Sequence, residues 1–529
     1  MNDARDPRTA PLADAFGKIV GDANVITDAA ERDLLSNDVF VWDNIETAAV
    51  VVRPGSATEV AEVVKAAPTL GVNLAIRGGG MSYTQGYPPV TAPTVLLDMR
   101  RLDRLEFHIK DRYVLAGVGC TWERIHRELM PHGFVVDYQA PMSGIVSTVG
   151  GALSQNVPLG QTGVLGLEVV RMDGGIVHTG SWAHKGGDGP YHRNYGPDLT
   201  GIFLGDNGAF GIKTAAGIHI GQKPSGKAFA AYDFKSYEDL AATMIEIAPF
   251  DFVNEHVGLD PYESRNIARV SYGKAFETAQ SLIADQKGVV GKVKQAVQLA
   301  SAGAATGTNF LANANWTLHL KSTSLTNEAA EFGLEDVRAI CLKRGTPIPD
   351  LLPRARDVSG GFSIRKFLGV DGERWVATNS IFPIGRAVDV ATKIQGFFAT
   401  KLDDMKAHKV WHGFVTNYGP TYFLCEPTFY WVDQISPLHL RHLPPDEAER
   451  FRAIPPDLKA RRFVQSLRKE LTAFFLKIGA THLQLAKAYP YRDAVEPETW
   501  RLAKELKALL DPDRRLNPYN LGFVPGAKD

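Results

Sequence analysis

Residues 74–90 read LAIRGGGMSYTQGYPPV, with Gly78, Gly79, Gly80 and Gly86 set between Arg77 and the pair Pro88-Pro89. Glycine costs about 0.5–1 kcal/mol relative to alanine in regular structure, so such a cluster marks backbone that turns sharply or approaches a guest closely. Main-chain N–H groups beside an arginine suit a phosphate. Two more glycine turns follow, at Gly150-Gly151 and around Gly205, Gly208 and Gly211, and the first two have Ser82, Ser147, Thr148, Gln155 and Asn156 close by. None is a GxGxxG or a GxxxxGK[ST] motif, so neither a nicotinamide site nor a triphosphate loop is indicated. Together they suggest a long, pyrophosphate-containing cofactor laid across backbone amides.

Histidine is the side chain whose proton exchange falls near neutral pH. His412, in KVWHGFVTNYG, is the best single candidate, because Trp411, Phe414, Tyr418 and Tyr422 surround it in sequence. The aromatic run PTFYW at 427–431 suits either a pocket wall for a flat ring or the core of a sheet. His439 and His442 stand at i, i+3 in LHLRH, too few ligands for a metal site. No metal is expected. Cys120, Cys341 and Cys425 lie far apart with no CxxC spacing, which fits free thiols in a reducing compartment.

These residues need elements to hold them. In AAVVVRPGSATEVAEVVKAAPTLGVNLAIRGGG a short apolar strand ends at Arg53, and Pro54-Gly55 turns the chain. Ser56 or Thr58 then caps a helix carrying Val60, Val63 and Val64, and a second strand delivers the glycine loop at its carboxyl end. TVLLDM and YVLAGVGC read as further strands, and GLEVVRMDGGIVHTG as a hairpin turning at Asp173-Gly174-Gly175. From about Lys223 helical and strand-like runs alternate in an α+β texture, and KARRFVQSLRKELTAFFLKIGA is a long amphipathic helix. LASAGAATGT at 299–308 reads as a loop.

The ordered set VVRPGSATEVAEVV, LAIRGGGMSYTQG, VLLDMRRLDRL, STVGGALSQNVPLGQTGVLGLEVV and YGPDLTGIFLGDNGAFGIKTAAGI resembles the flavin-binding domain of the vanillyl-alcohol oxidase family, also called the PCMH-type FAD-binding family. LLDPDRRLNPYNLG is similar to that family's C-terminal element. The resemblance implies an α+β, two-domain flavoprotein: an N-terminal arm at 1–44, an FAD-binding domain at 45–222 completed by about 470–529, and an inserted substrate domain at 223–469. It implies FAD with its pyrophosphate on Arg77, Gly78, Gly79, Gly80, Met81, Ser82 and Tyr83. Pro141, Ser147, Thr148, Gly150, Gly151, Gln155, Asn156 and Gly160 would lie along the pyrophosphate and ring. Glu168, Val169, Gly211 and Ile212 would approach the adenine-ribose half, and Asn517 the far edge of the flavin.

Many relatives attach the flavin covalently through a histidine or cysteine. Met81 stands at the loop position, and Thr378 or Asn379 in VATNSIFPIG at the second one, so FAD is expected to be non-covalent. The resemblance further implies that Tyr83, Tyr491 and Arg492 grip a substrate as its phenolate, since a nearby cation favours the ionised phenol. Gln161 replaces an aspartate base of the phenol oxidases. The implied reaction moves hydride from a small para-substituted phenol or aromatic alcohol to flavin N5, with oxygen or another acceptor closing the cycle. The alternatives are a hydroxy-acid or polyol oxidoreductase, in which Arg492 grips a carboxylate, a non-redox ether-lipid synthase of the same fold, and a non-catalytic flavin-binding protein.

The 529 residues carry a net charge of -1, which gives no support for binding nucleic acid or a membrane surface. The start, MNDARDPRTAPLADAF, lacks the basic-then-apolar pattern of a signal peptide, and no uncharged apolar run of about 18 residues appears. A cytoplasmic location is expected, and a homodimer fits the family.

Overall fold

The computed structural model describes residues 9–136, 143–157, 163–267, 311–358, 367–369 and 371–525. Three sheets organise them. The first is built from β1 (Val25–Ile26), β2 (Val50–Val52), β3 (Asn73–Arg77) and β4 (Thr94–Asp98), in the order β1-β2-β4-β3. β2, β4 and β3 run parallel, which requires a crossover, and the helix Ala57–Thr69 supplies it. Ser56, rather than Thr58, caps that helix by accepting from the Glu59 N–H at 3.1 Å. Val60, Val63 and Val64 are fully buried at helical spacing, as their pattern requires.

The second sheet contains β5 (Leu105–His108), β6 (Tyr113–Gly117), β7 (Phe134–Val136), β8 (Val164–Val170), β9 (Ile176–His178) and β10 (Ile212–Gln222). Its order is β5-β6-β10-β8-β9, with β7 also on β10, and every pairing is antiparallel. The β8–β9 hairpin turns at Gly174 (φ 81°), where the Asp173 carboxylate accepts from the Gly175 N–H at 2.8 Å.

The third sheet is antiparallel and larger. It comprises β11 (Gly226–Phe234), β12 (Val253–Leu259), β13 (Trp316–Ser324), β14 (Gly345–Pro347), β15 (Arg374–Ala377), β16 (Ser380–Pro383), β17 (Val410–Tyr418) and β18 (Tyr422–Trp431). The order is β14-β11-β13-β12-β17-β18-β15, with β16 on β18. Successive side chains of a strand point to opposite faces, so parity sorts β17 and β18 cleanly. Phe414, Tyr418, Phe423, Cys425 and Phe429 enter a core with the helices Tyr237–Ile247 and Ala387–Ala399. Val415, Asn417, Tyr422, Leu424 and Glu426 face a cavity instead.

Both chain ends are woven in. The expected polar N-terminal arm is two helices, Thr9–Val20 and Ala29–Ser36, with Leu12, Phe16 and Val20 buried against the first sheet. Val39 and Phe40 continue into the core of the third sheet, where their carbonyls accept from the buried Arg374 guanidinium at 2.9 and 2.6 Å. The long amphipathic helix forms over Leu458–Lys477. Beyond it, the Leu74 N–H donates to Arg515 O, and the Asn517 side chain accepts from the Ile76 N–H, each at 2.9 Å. The segment 299–308 lies outside the described residues.

Candidate active site

A cavity of about 350 Å³ lies where the three sheets meet. Its cofactor end is backbone. Gly78, Gly79, Gly80, Gly150 and Gly151 form the wall, and added Cβ atoms show how tight the loop is. At Gly79 a Cβ would lie 2.0 Å from Val146 O, and at Gly78 2.2 Å from Thr148 Oγ1. Gly80 adopts φ 84°, a conformation glycine tolerates without strain. Among the described residues the N–H groups of Gly79, Gly80 and Met81 donate to no protein acceptor. Unmet amides in a glycine cradle are what a diphosphate needs.

Met81, Ser82, Ser147, Thr148 and Gln155 also line the cavity, as do Gly211 and Asn517. Several expected contacts are made differently. Arg77 is fully buried but outside the wall: its guanidinium donates to Gly78 O at 3.0 Å and Gly79 O at 3.4 Å. It therefore fixes the loop by holding its carbonyls, and does not present its charge to the cavity. Asn156 ends the helix Val149–Gln155 in the left-handed region (φ 55°), away from the wall. Glu168 accepts from Thr214 at 2.7 Å and pairs with His178 at 3.1 Å, while Val169 and Ile212 are sheet core. Pro141, Gly160 and Gln161 lie outside the described residues.

The other end of the cavity is aromatic. The rings of Tyr83, Phe367 and Trp375 meet at centroid distances of 6.4, 5.5 and 5.2 Å, the two contacts to Trp375 edge to face. Tyr422 and Leu424 continue this wall from β18. Glu426, one pleat further along, accepts from the Tyr83 hydroxyl at 3.5 Å. Burial pushes the Glu426 carboxyl up to about 7, the neighbouring Glu263 adds to the rise, and the Tyr83 hydrogen bond opposes it. A carboxyl poised there can take or give a proton near neutral pH. Sequence reading missed it; the only signal was one acid in the apolar strand YFLCEPTFYW.

Tyr491 and Arg492 do not join this site. Tyr491 packs against a cluster of Ala209, Leu521 and Phe523, and exposed Arg492 reaches over the Trp500 ring at 6.0 Å. The short helix Tyr491–Ala494 thus sets both side chains against the C-terminal element and outside the cavity wall, so the expected phenolate grip does not form. His412 is on the wrong face of β17: it stacks on Phe398 at 4.2 Å, and burial lowers it to about 4. In PTFYW, Phe429 and Trp431 are core residues. Thr378 and Asn379 lie outside the cavity wall, both buried. Among the described residues, no three His, Cys, Asp or Glu side chains converge as a metal site, and no helix is long and apolar enough to cross a membrane.

Residues 48–180 match the FAD binding domain family. D-lactate dehydrogenase of Archaeoglobus fulgidus is 25% identical over 205 residues, covering 38% of this chain and 44% of that protein. Mitochondrial D-2-hydroxyglutarate dehydrogenase of Bos taurus is 26% identical over 183 residues, 33% of this chain and 32% of that one. The matched stretch thus spans less than half of each relative. A structure of p-cresol methylhydroxylase with substrate bound superposes with a TM-score of 0.73 at 17% identity, covering 99% of this chain and 98% of that one. The fold is therefore the two-domain, mixed helix-and-sheet fold of PCMH-type flavoproteins, and its first domain binds FAD. The sequence relatives named here are hydroxy-acid dehydrogenases, which does not single out the vanillyl-alcohol oxidase branch.

Proposed function

We propose that the protein is an FAD-dependent oxidoreductase that oxidises a small aromatic alcohol to its carbonyl compound. The observation that carries this reading is the position of Glu426. It joins the cofactor loop, through Tyr83, to the aromatic box of Phe367, Trp375 and Tyr422. FAD in the cradle supplies a two-electron acceptor. Gly79, Gly80 and Met81 would bind its diphosphate through their amides, with Thr148 and Asn517 flanking it. Phe367, Trp375 and Tyr422 hold a flat ring and exclude water. Glu426, as carboxylate, takes the hydroxyl proton, the role of the aspartate base that Gln161 was expected to replace.

The curated relatives favour a second reading, a hydroxy-acid dehydrogenase. It draws on Arg356, which reaches the same cavity while paired with Glu255 at 2.7 Å. We also propose non-covalent FAD, because the side chain nearest the cradle loop in sequence is the thioether of Met81. The units 45–222 with about 470–529, and 223–469, a cytoplasmic location, a homodimer, and oxygen or another acceptor complete the proposal.

The test is anaerobic bleaching of the FAD-loaded protein by 4-hydroxybenzyl alcohol and by D-lactate. The aromatic alcohol is expected to bleach it, with a rate that rises with pH through about 7 as Glu426 ionises. Glu426→Gln should slow bleaching by about 10²–10⁴-fold. Bleaching by D-lactate alone would replace the first reading with the second.

A further inference from the structure

Among the described residues, two Lys or Arg side chains line the cavity, Lys213 and Arg356. Arg356 belongs to the helix Leu351–Val358, which packs on β11 and β13 of the third sheet, whereas Lys213 is the second residue of β10 in the second sheet. The Lys213 side chain is 3% exposed. Its Nζ donates to Phe203 O and to Asp206 Oδ1, each at 2.7 Å. An ammonium carries three N–H groups, so among the described residues one buried donor is left over on a side chain of the cavity wall. Lys507, a buried lysine outside that wall, uses all three of its own, on Asp511 Oδ2 at 2.6 Å, Ala209 O at 2.7 Å and Leu516 O at 3.3 Å.

Asp206 shapes the third glycine turn. Its Oδ1 also accepts from the Gly208 N–H at 2.9 Å, and its Oδ2 from the Phe210 N–H at 3.3 Å. An uncharged asparagine could accept there too, and a buried ion pair gains little over a well-packed apolar pair. The turn by itself therefore gives no reason for a buried ammonium at 213. The neighbours of Lys213 do. Val118 adjoins the cradle: a Cβ at Gly150 would lie 2.7 Å from Val118 Cβ, and the Gly150 N–H donates to Val118 O at 3.0 Å. The Val118 N–H donates in turn to Thr214 O at 3.1 Å, which sets Lys213 beside it. Ile76, in β3, and Met99, directly after β4, line the cavity as well. A diphosphate on the cradle and a flavin ring serving the aromatic box leave the AMP half of FAD for this end, between the first and second sheets.

We propose that Lys213 binds the AMP half of FAD, donating its remaining N–H to an acceptor there while Asp206 balances its charge. The inference rests on the cradle as the diphosphate site. Arg77 spends its guanidinium on the loop carbonyls, so Lys213 is the cation offered to the cofactor at this end. Phe203 O and Asp206 hold the ammonium in place beforehand, and a donor fixed in advance loses little side-chain freedom on binding. FMN ends before the AMP half, so the contact favours the dinucleotide.

The test titrates apoprotein with FAD and with FMN, followed by flavin fluorescence, for wild type and Lys213→Met/Asp206→Asn, with apoprotein melting temperatures beside them. The double variant strands no buried charge and keeps an acceptor for the Gly208 N–H. It is expected to melt near wild type and to bind FAD about 10- to 100-fold more weakly, with no such loss for FMN. Wild-type FAD affinity would overturn the assignment and leave the pair as a staple of the turn, and an equal loss for FMN would overturn it too. If the double variant does not fold, Lys213→Gln carries the test. Its amide has two N–H groups for Phe203 O and Asp206 and none to spare, so FAD should bind about tenfold more weakly, and unchanged affinity overturns the contact. The cradle and the lysine fail separately. Normal FAD binding in the Lys213 variants beside weak binding in Gly79→Ala removes only the lysine contact, whereas normal binding in Gly79→Ala removes the cradle and this inference with it.

Discussion

Gly79→Ala tests the cradle by its geometry. The new Cβ would lie 2.0 Å from Val146 O, 2.7 Å from Val146 C and 3.2 Å from Ser147 Cα, where real Cβ atoms essentially never come within 3.0 Å. The crowded atoms are backbone, so no side chain can swing aside. The 78–80 loop or the 146–148 segment must move by about 1 Å, and both contribute to the wall of the proposed diphosphate site. Overpacking of this kind costs about 1–3 kcal/mol. Borne by the cofactor site, that is FAD binding weaker by about 5- to 150-fold. The assay is titration of apoprotein with FAD, followed by quenching of flavin fluorescence, with the melting temperature of the apoprotein recorded beside it. Gly221→Ala is the control, since nothing lies within 4 Å of its added Cβ and its φ is not positive. Wild-type FAD affinity in Gly79→Ala, with an unchanged apoprotein melting temperature, would refute the placement of the diphosphate.

Two other outcomes are expected. Acid precipitation of the holoprotein should leave the yellow colour in the supernatant, and colour in the pellet would reveal a covalent link. His439→Leu should become progressively more stable relative to wild type as pH falls from about 6.5 toward 4. His439 is 1% exposed, neither ring nitrogen has a partner among the described residues, and burial pushes it down to about 3, so in acid the unfolded chain takes a proton that the folded chain refuses. Urea midpoints at several pH values check this, and a stability difference independent of pH would contradict it.

The cradle and its βαβ support were legible because they depend on local signals. Glycines crowd residues 78–80, Ser56 caps a helix of buried valines, and Asp173-Gly174 turns a hairpin, all within a few residues of one another. The substrate end depends on distance. Tyr83 and Glu426 meet across 343 residues, and no spacing in the chain announces that. His412 looked promising because aromatic residues surround it in sequence, yet strand parity divides them, sending His412 and Phe414 to the helical core while Val415 and Asn417 face the cavity. Tyr491 and Arg492 misled for a related reason. Adjacency says nothing about direction on a four-residue helix, and here the guanidinium leans on Trp500.

The bond from the Ile76 N–H to the Asn517 side chain spans 441 positions, and Lys507 reinforces that seam by donating to Ala209 O at 2.7 Å and Leu516 O at 3.3 Å. A ribosome adding about 5–20 residues per second therefore leaves the cradle loop unfinished for roughly 20 to 90 seconds after synthesising it. Throughout that interval the strand that carries the glycines lacks its last neighbour, and the whole third sheet emerges in between. FAD thus has no finished site to enter on the nascent chain. Cofactor loading becomes a late event, coupled to capture of residues 515–517, and a ribosome-stalled chain ending before Asn517 should bind FAD far more weakly than the released protein.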